Sequence, residues 1–163
     1  MKWKIPFLVL ILGVIVIGIS GCASISNSTK HFDNGVVSFD YPSNMEVVDY
    51  GIGGISIVDG STTMVRIIIT NYTASNAKYS IINDNNLKSL NQTGLKVTKE
   101  TINGKTAYDC IQQSGNRTTY YTYIDIDNGQ AQIIPSQYLD NRNQKDTSFY
   151  KTYQVVVNSF HSK

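Results

Sequence analysis

Two asparagine–glycine pairs constrain this chain more than any other feature. In LKVTKETI-NG-KTAYDCIQQ, Asn103-Gly104 separates two strand-like runs, and both residues of such a pair tolerate the positive φ that a type I′ hairpin turn demands. Ser114-Gly115-Asn116-Arg117 offers another turn, leading into TTYYTYIDID, and Asn128-Gly129 one more, leading into QAQIIP. This spacing predicts a four-strand antiparallel meander over about residues 95–135.

The flanks extend the pattern. GVVSFDYP sets Val37, Phe39 and Tyr41 against Val36, Ser38 and Asp40 and stops at Pro42, as a half-buried strand does. SNMEVVDY repeats the idea, and GGISIVDG and TMVRIIITNYT are β-branched runs joined around Asp59-Gly60. Between about 76 and 92, Tyr79, Ile82, Leu87 and Leu90 fall near helical spacing, with Gly94 placed as a stop. Asn83, Asp84, Asn85 and Asn86 are poor interior helix formers, so a break is expected there. At the end, Phe149, Tyr150, Tyr153, Val156, Val157 and Phe160 make one helical stripe, which Asp146 or Thr147 can cap. The expected fold class is α+β, an antiparallel sheet of hairpins with helices packed on it.

Ahead of the domain stands a leader. Lys2 and Lys4 precede an apolar run, Ile5 to Ile19, whose roughly 22 Å of helix falls short of the ~30 Å hydrocarbon core. Residues 1–21 therefore read as an export signal. The signal ends in Ile19-Ser20-Gly21-Cys22, an aliphatic residue and two small ones before a cysteine, which resembles the lipoprotein attachment pattern of prokaryotes. Cys22 is the expected lipid attachment point, and two or more acyl chains hold a protein stably on a membrane. Residues 22–33 have the small, polar composition of a flexible tether, and 34–163 form the folded domain. The alternative is a plain export signal, with Cys22 free or paired with Cys110. If Cys22 is acylated, Cys110 becomes a lone thiol in a strand, ordinarily a small buried hydrophobe.

Charge narrows the partners. The chain carries 14 Lys+Arg and 12 Asp+Glu; Lys2 and Lys4 leave with the leader, so the mature domain is balanced at 12 against 12. A neutral domain argues against nucleic acid and against a basic membrane patch. The expected partners are the membrane, through the lipid on Cys22, and a protein.

Chemistry-bearing motifs are scarce. The two histidines, His31 and His161, fall in the tether and near the C-terminus. No phosphate-binding glycine loop, Cys-x-x-Cys pair or serine nucleophile elbow is present. No cofactor, metal site or catalytic residue is therefore expected. Asp125 and Asp127 lead into a turn, but a calcium loop beginning at Asp125 wants glycine at its sixth position, where Gln130 stands. Tyr120, Tyr121 and Tyr123, with Tyr108 and Tyr138, are the candidate lining of a groove that stacks on sugars or apolar ligands; the high β-propensity of tyrosine and its cross-strand pairing account for them better. Asn27, Asn71, Asn91 and Asn116 head Asn-x-Ser/Thr sequons. Of these, Asn27 in the tether and Asn116 at a turn are the accessible glycosylation candidates.

GVVSFDYPSNMEVV, INGKTAYD and VVVNSF together resemble the PsbP-like family over about residues 34–161. The likeness rests on the Phe-x-Tyr-Pro of Phe39–Pro42, the Asn-Gly-x-x-Ala-Tyr of Asn103–Tyr108 and the closing Ser159-Phe160. Met45 stands where tryptophan is common. The resemblance implies an antiparallel sheet with helices on its faces, a PsbP-like sandwich. Plant members assist photosynthetic water oxidation, but no motif carries that role to this chain. Prokaryotic members include small lipoproteins, some from methane-forming archaea. The implied function is an accessory or protein-binding module with no enzymatic activity; the alternative is an extracytoplasmic small-ligand or sugar-binding protein that uses the tyrosine-lined sheet face.

Overall fold

The computed structural model describes residues 28–51, 54–72, 82–92, 94–136, 139–140 and 147–163. The leader, Cys22, Asn27, Tyr138 and residues 76–81 of the expected helix lie outside them. In chain order come β1 (Thr29–Asp33), β2 (Val37–Pro42), β3 (Glu46–Asp49), β4 (Ile55–Asp59) and β5 (Thr62–Asn71). After the short helix α1 (Leu87–Gln92) follow β6 (Leu95–Ile102), β7 (Lys105–Ser114), β8 (Arg117–Ile126), β9 (Gly129–Pro135) and β10 (Leu139–Asp140). Helix α2 (Ser148–Ser159) and β11 (His161–Ser162) close the chain.

The strands form two antiparallel sheets. The larger runs β3-β4-β5-β9-β8-β7-β6, with β10 added against β8; the smaller runs β1-β2-β11. The expected meander is the β6–β9 half of the large sheet, every neighbour paired antiparallel. Helix α2 and the small sheet lie on one face of the large one. Tyr153, Val156, Val157 and Phe160 join Val37 and Phe39 against Ile55, Ile67, Ile124 and Ile133 in the main core. Phe39 and Phe160 are fully buried, and each such side chain contributes roughly 1.5–3 kcal/mol. Thr147 caps α2, its hydroxyl accepting from the Tyr150 amide at 3.2 Å.

Three expectations change. Residues 29–33 are not tether: β1 pairs with β2 from Thr29 opposite Pro42 to Asp33 opposite Ser38. Backbone hydrogen bonds hold this strand, and Phe32 is its one inward aromatic, 5.1 Å from Phe39, so a polar composition hid it. The helix described after Asn76 is only Leu87–Gln92. Asn83 serves as its cap: Asn83 Oδ1 accepts from the Asn85 and Asn86 amides, and Asn86 Oδ1 accepts back from the Asn83 amide.

The third change concerns the last hairpin. Asn103 and Gly104 both have positive φ, 48° and 80°, as a type I′ turn requires. Asn128-Gly129 is different. Gly129 already pairs with Ile126, so Asp127 and Asn128 make the turn, with Asn128 at φ 67°. Gly129 is needed for space instead: a Cβ there would run into the Thr70 carbonyl of β5.

Candidate functional site

Strand alternation gives the large sheet a second face, turned away from α2. Register places Arg66 opposite Ile134 and Ile68 opposite Gln132, Gln132 opposite Tyr123, and Tyr121 opposite Cys110 and Thr119 opposite Gln112. Successive side chains point to opposite faces, so all of these share one surface. One end of it is covered. Ile82 is buried there.

 Leu95, Tyr108 and Cys110 are buried with it, and Leu87 and Leu90 of α1 and Val97 of β6 pack against them. Tyr121 and Tyr123 form the boundary of this second apolar cluster, their rings edge to face at 5.8 Å.

Among the described residues, none covers the other end of the face. A groove of about 480 Å³ lies there, within the roughly 300–1,000 Å³ usual for small-molecule sites. Ile68 and Ile134 contribute its apolar surface, and Gln112, Thr119, Gln132 and Ser136 its uncharged polar groups. Among the described residues Arg66 is the only charged side chain in the lining, and it forms no ion pair with any of them. Burial pushes the Tyr121 phenol up to about 12, with Cys110 adding to the effect. Tyr123 is raised further, by burial first and then by Tyr121 and Cys110. Both phenols stay protonated at neutral pH and present hydroxyl donors rather than negative charge.

The tyrosines expected to act together are divided. Tyr121 and Tyr123 line the groove, but Tyr120 points to the opposite face, where its ring meets Tyr150 of α2 edge-on at 5.3 Å. Adjacent residues of a strand cannot share a face. Tyr108 is buried in the second cluster, and its hydroxyl donates to Asp84 at 3.3 Å. Cys110 is a free, buried thiol, pushed up to about 12 by burial and then by Asp109, so it is no nucleophile at neutral pH. Asn116 sits exposed in the β7–β8 turn. His31, expected in the tether, lies in β1 and bonds Asp40 through Nδ1 at 2.8 Å.

The two aspartates before the last turn have ordinary partners. Asp125 accepts from Gln130 Nε2 at 2.8 Å, and Asp127 pairs with Lys105 at 2.9 Å. Gln130 is buried and also clamps the Ile82 backbone, accepting from its amide at 3.0 Å and donating to its carbonyl at 2.6 Å. Among the described residues no group of three or more metal-ligating side chains gathers.

A second, polar cavity of about 340 Å³ lies on the α2 side, lined by Glu100, Asp109, Gln154 and Asn158 among others. Glu100 is pushed up to about 7, by burial first and then by its hydrogen bond to Asp109 and that residue's charge. Asp109 also accepts from Thr122 Oγ1 at 2.6 Å, and that hydroxyl in turn bonds the Tyr153 hydroxyl. Glu100 and Asp109 thus form a pair of carboxyl groups facing one cavity. Neither this pair nor the Arg66–Gln112–Gln132 set was anticipated from sequence. Strand register was the missing signal, because each set comes from different strands.

No family model matches the chain, and no curated protein is similar to it. Among solved structures, the chain is similar to cyanobacterial PsbP (CyanoP) from Synechocystis sp. PCC 6803, determined in solution. The TM-score is 0.51 at 15% sequence identity, covering 90% of this chain and 99% of that one. Two sheets, a helix on the shared core and that overlap along nearly the whole length agree with one another: the fold of this chain is PsbP-like.

Proposed function

We propose that the chain is an exported accessory module, held on the outer face of the cell membrane by lipid on Cys22, that binds a small ligand in the groove beside Tyr121 and Tyr123. The observation that carries the binding reading is the end of that sheet face that no described residue covers, where aromatic, amide and guanidinium groups converge on one concave surface. The Ile19-Ser20-Gly21-Cys22 pattern after a short apolar run supports the anchor. Among the described residues neither histidine nor cysteine lines the groove or the Glu100–Asp109 cavity, which supports a module without catalysis of its own.

The binding test is a ligand-observed NMR screen of small polar molecules against the full chain and Gln112→Trp. Gln112 is exposed, so the indole fills the groove without disturbing the core. Ligands seen with the parent chain are expected to disappear with the variant. Ligands indifferent to it would move the site elsewhere, and turnover of a substrate lost in Glu100→Gln would make the protein an enzyme.

A further inference from the structure

We infer that the groove is built for an acidic saccharide, its carboxylate held by Arg66 and its ring lying against Tyr121 and Tyr123. This rests on the binding reading above and names the class of ligand. Three features of the lining point the same way. Among the described residues its one charged group is a guanidinium without an ion-pair partner, and guanidinium is the side chain best shaped for two parallel hydrogen bonds to a carboxylate. Among the described residues no Asp or Glu lines the groove, so none of them repels an anion there.

The second feature is the aromatic pair. The Tyr121 and Tyr123 rings meet edge to face at an interplanar angle of 79°, so the two present surfaces in different directions. Tyrosine offers an apolar body and a polar tip, which matches a sugar's C–H face and its hydroxyl rim. The third feature is the set of uncharged polar side chains, Gln112, Thr119, Gln132 and Ser136. An aryl carboxylate has no hydroxyls to offer these four. A saccharide has several, and each amide can both donate and accept.

The test is titration calorimetry at low salt on the full chain in detergent, with galacturonate disaccharide as the acidic probe and a neutral galactose disaccharide as its uncharged counterpart. The acidic probe is expected to bind at least tenfold more tightly than the neutral one. Arg66→Gln should abolish that preference, Arg66→Lys should restore part of it, and added salt should erode it. Arg66 is exposed, and an unchanged melting temperature in both variants verifies that the fold survives. Equal binding of both disaccharides, indifferent to Arg66, would overturn the acidic-ligand inference while leaving the groove as a binding site. Arg66-dependent binding of benzoate without binding of the uronate would overturn the saccharide. If no probe binds and the Gln112→Trp screen also finds nothing, the groove reading itself falls.

Discussion

Glu100 ties the stability of this protein to pH. Unfolded, it ionises near its ordinary 4.5; folded, burial and Asp109 push it up to about 7. The folded form therefore keeps the proton longer. Its contribution to stability is full below 4.5 and is lost as pH rises through 7. Glu100→Gln should flatten that dependence, so melting curves of parent and variant converge in acid and separate above pH 7, with the variant higher. An unchanged pH profile would mean that the pair does not share a proton. Gly129 makes a steric prediction. A methyl group there meets the Thr70 carbonyl, so Gly129→Ala should cost about 1–3 kcal/mol in urea unfolding. The same change at Gly104 has open space around it but a φ of 80°, so its cost comes from backbone strain instead.

Among the elements, the β6–β7 hairpin does more than reverse the chain. Asn103 Nδ2 donates to the carbonyls of Asn158 at 3.2 Å and Phe160 at 2.8 Å, so the turn also holds the C-terminal end of α2. Asn103→Gly keeps the positive φ but loses both bonds, and should cost about 1–3 kcal/mol from two bonds of roughly 0.5–1.5 each. Asn103→Ala should cost more, because it adds the strain of a left-handed backbone; equal losses would show that the bonds to α2 dominate. The hairpin was legible in the sequence because turn chemistry is local: Asn103-Gly104 specifies both its position and its type. Strand β1 was not. Its residues carry no alternating apolar pattern, and what orders them is the ladder to β2, contributed by a segment several residues further on. Likewise the run Asn83–Asn86 reads as helix-breaking, and it is in fact the cap that starts α1.

At the scale of the whole molecule, the proposed anchor and the folded domain are separable. Cys22→Ser should move the protein from the detergent phase to the aqueous phase and remove the mass of the lipid, while leaving the melting temperature of the domain unchanged. A parent protein that is already aqueous, with no added mass, would overturn the anchor. By itself the amino-acid sequence determined the hairpins, the terminal helix with its buried stripe and the α+β class, because turn residues and apolar periodicity act over a few neighbouring positions. Tertiary structure alone decided the groove. Arg66, Gln112 and Gln132 are unremarkable where they stand in the chain, and only the registers of β5, β9, β8 and β7 bring them onto one face. The same pleat separated Tyr120 from Tyr121 and sent it to α2. A strand's side chains alternate every residue, so a site on a sheet is written in pairings between distant segments rather than in any one stretch of the chain.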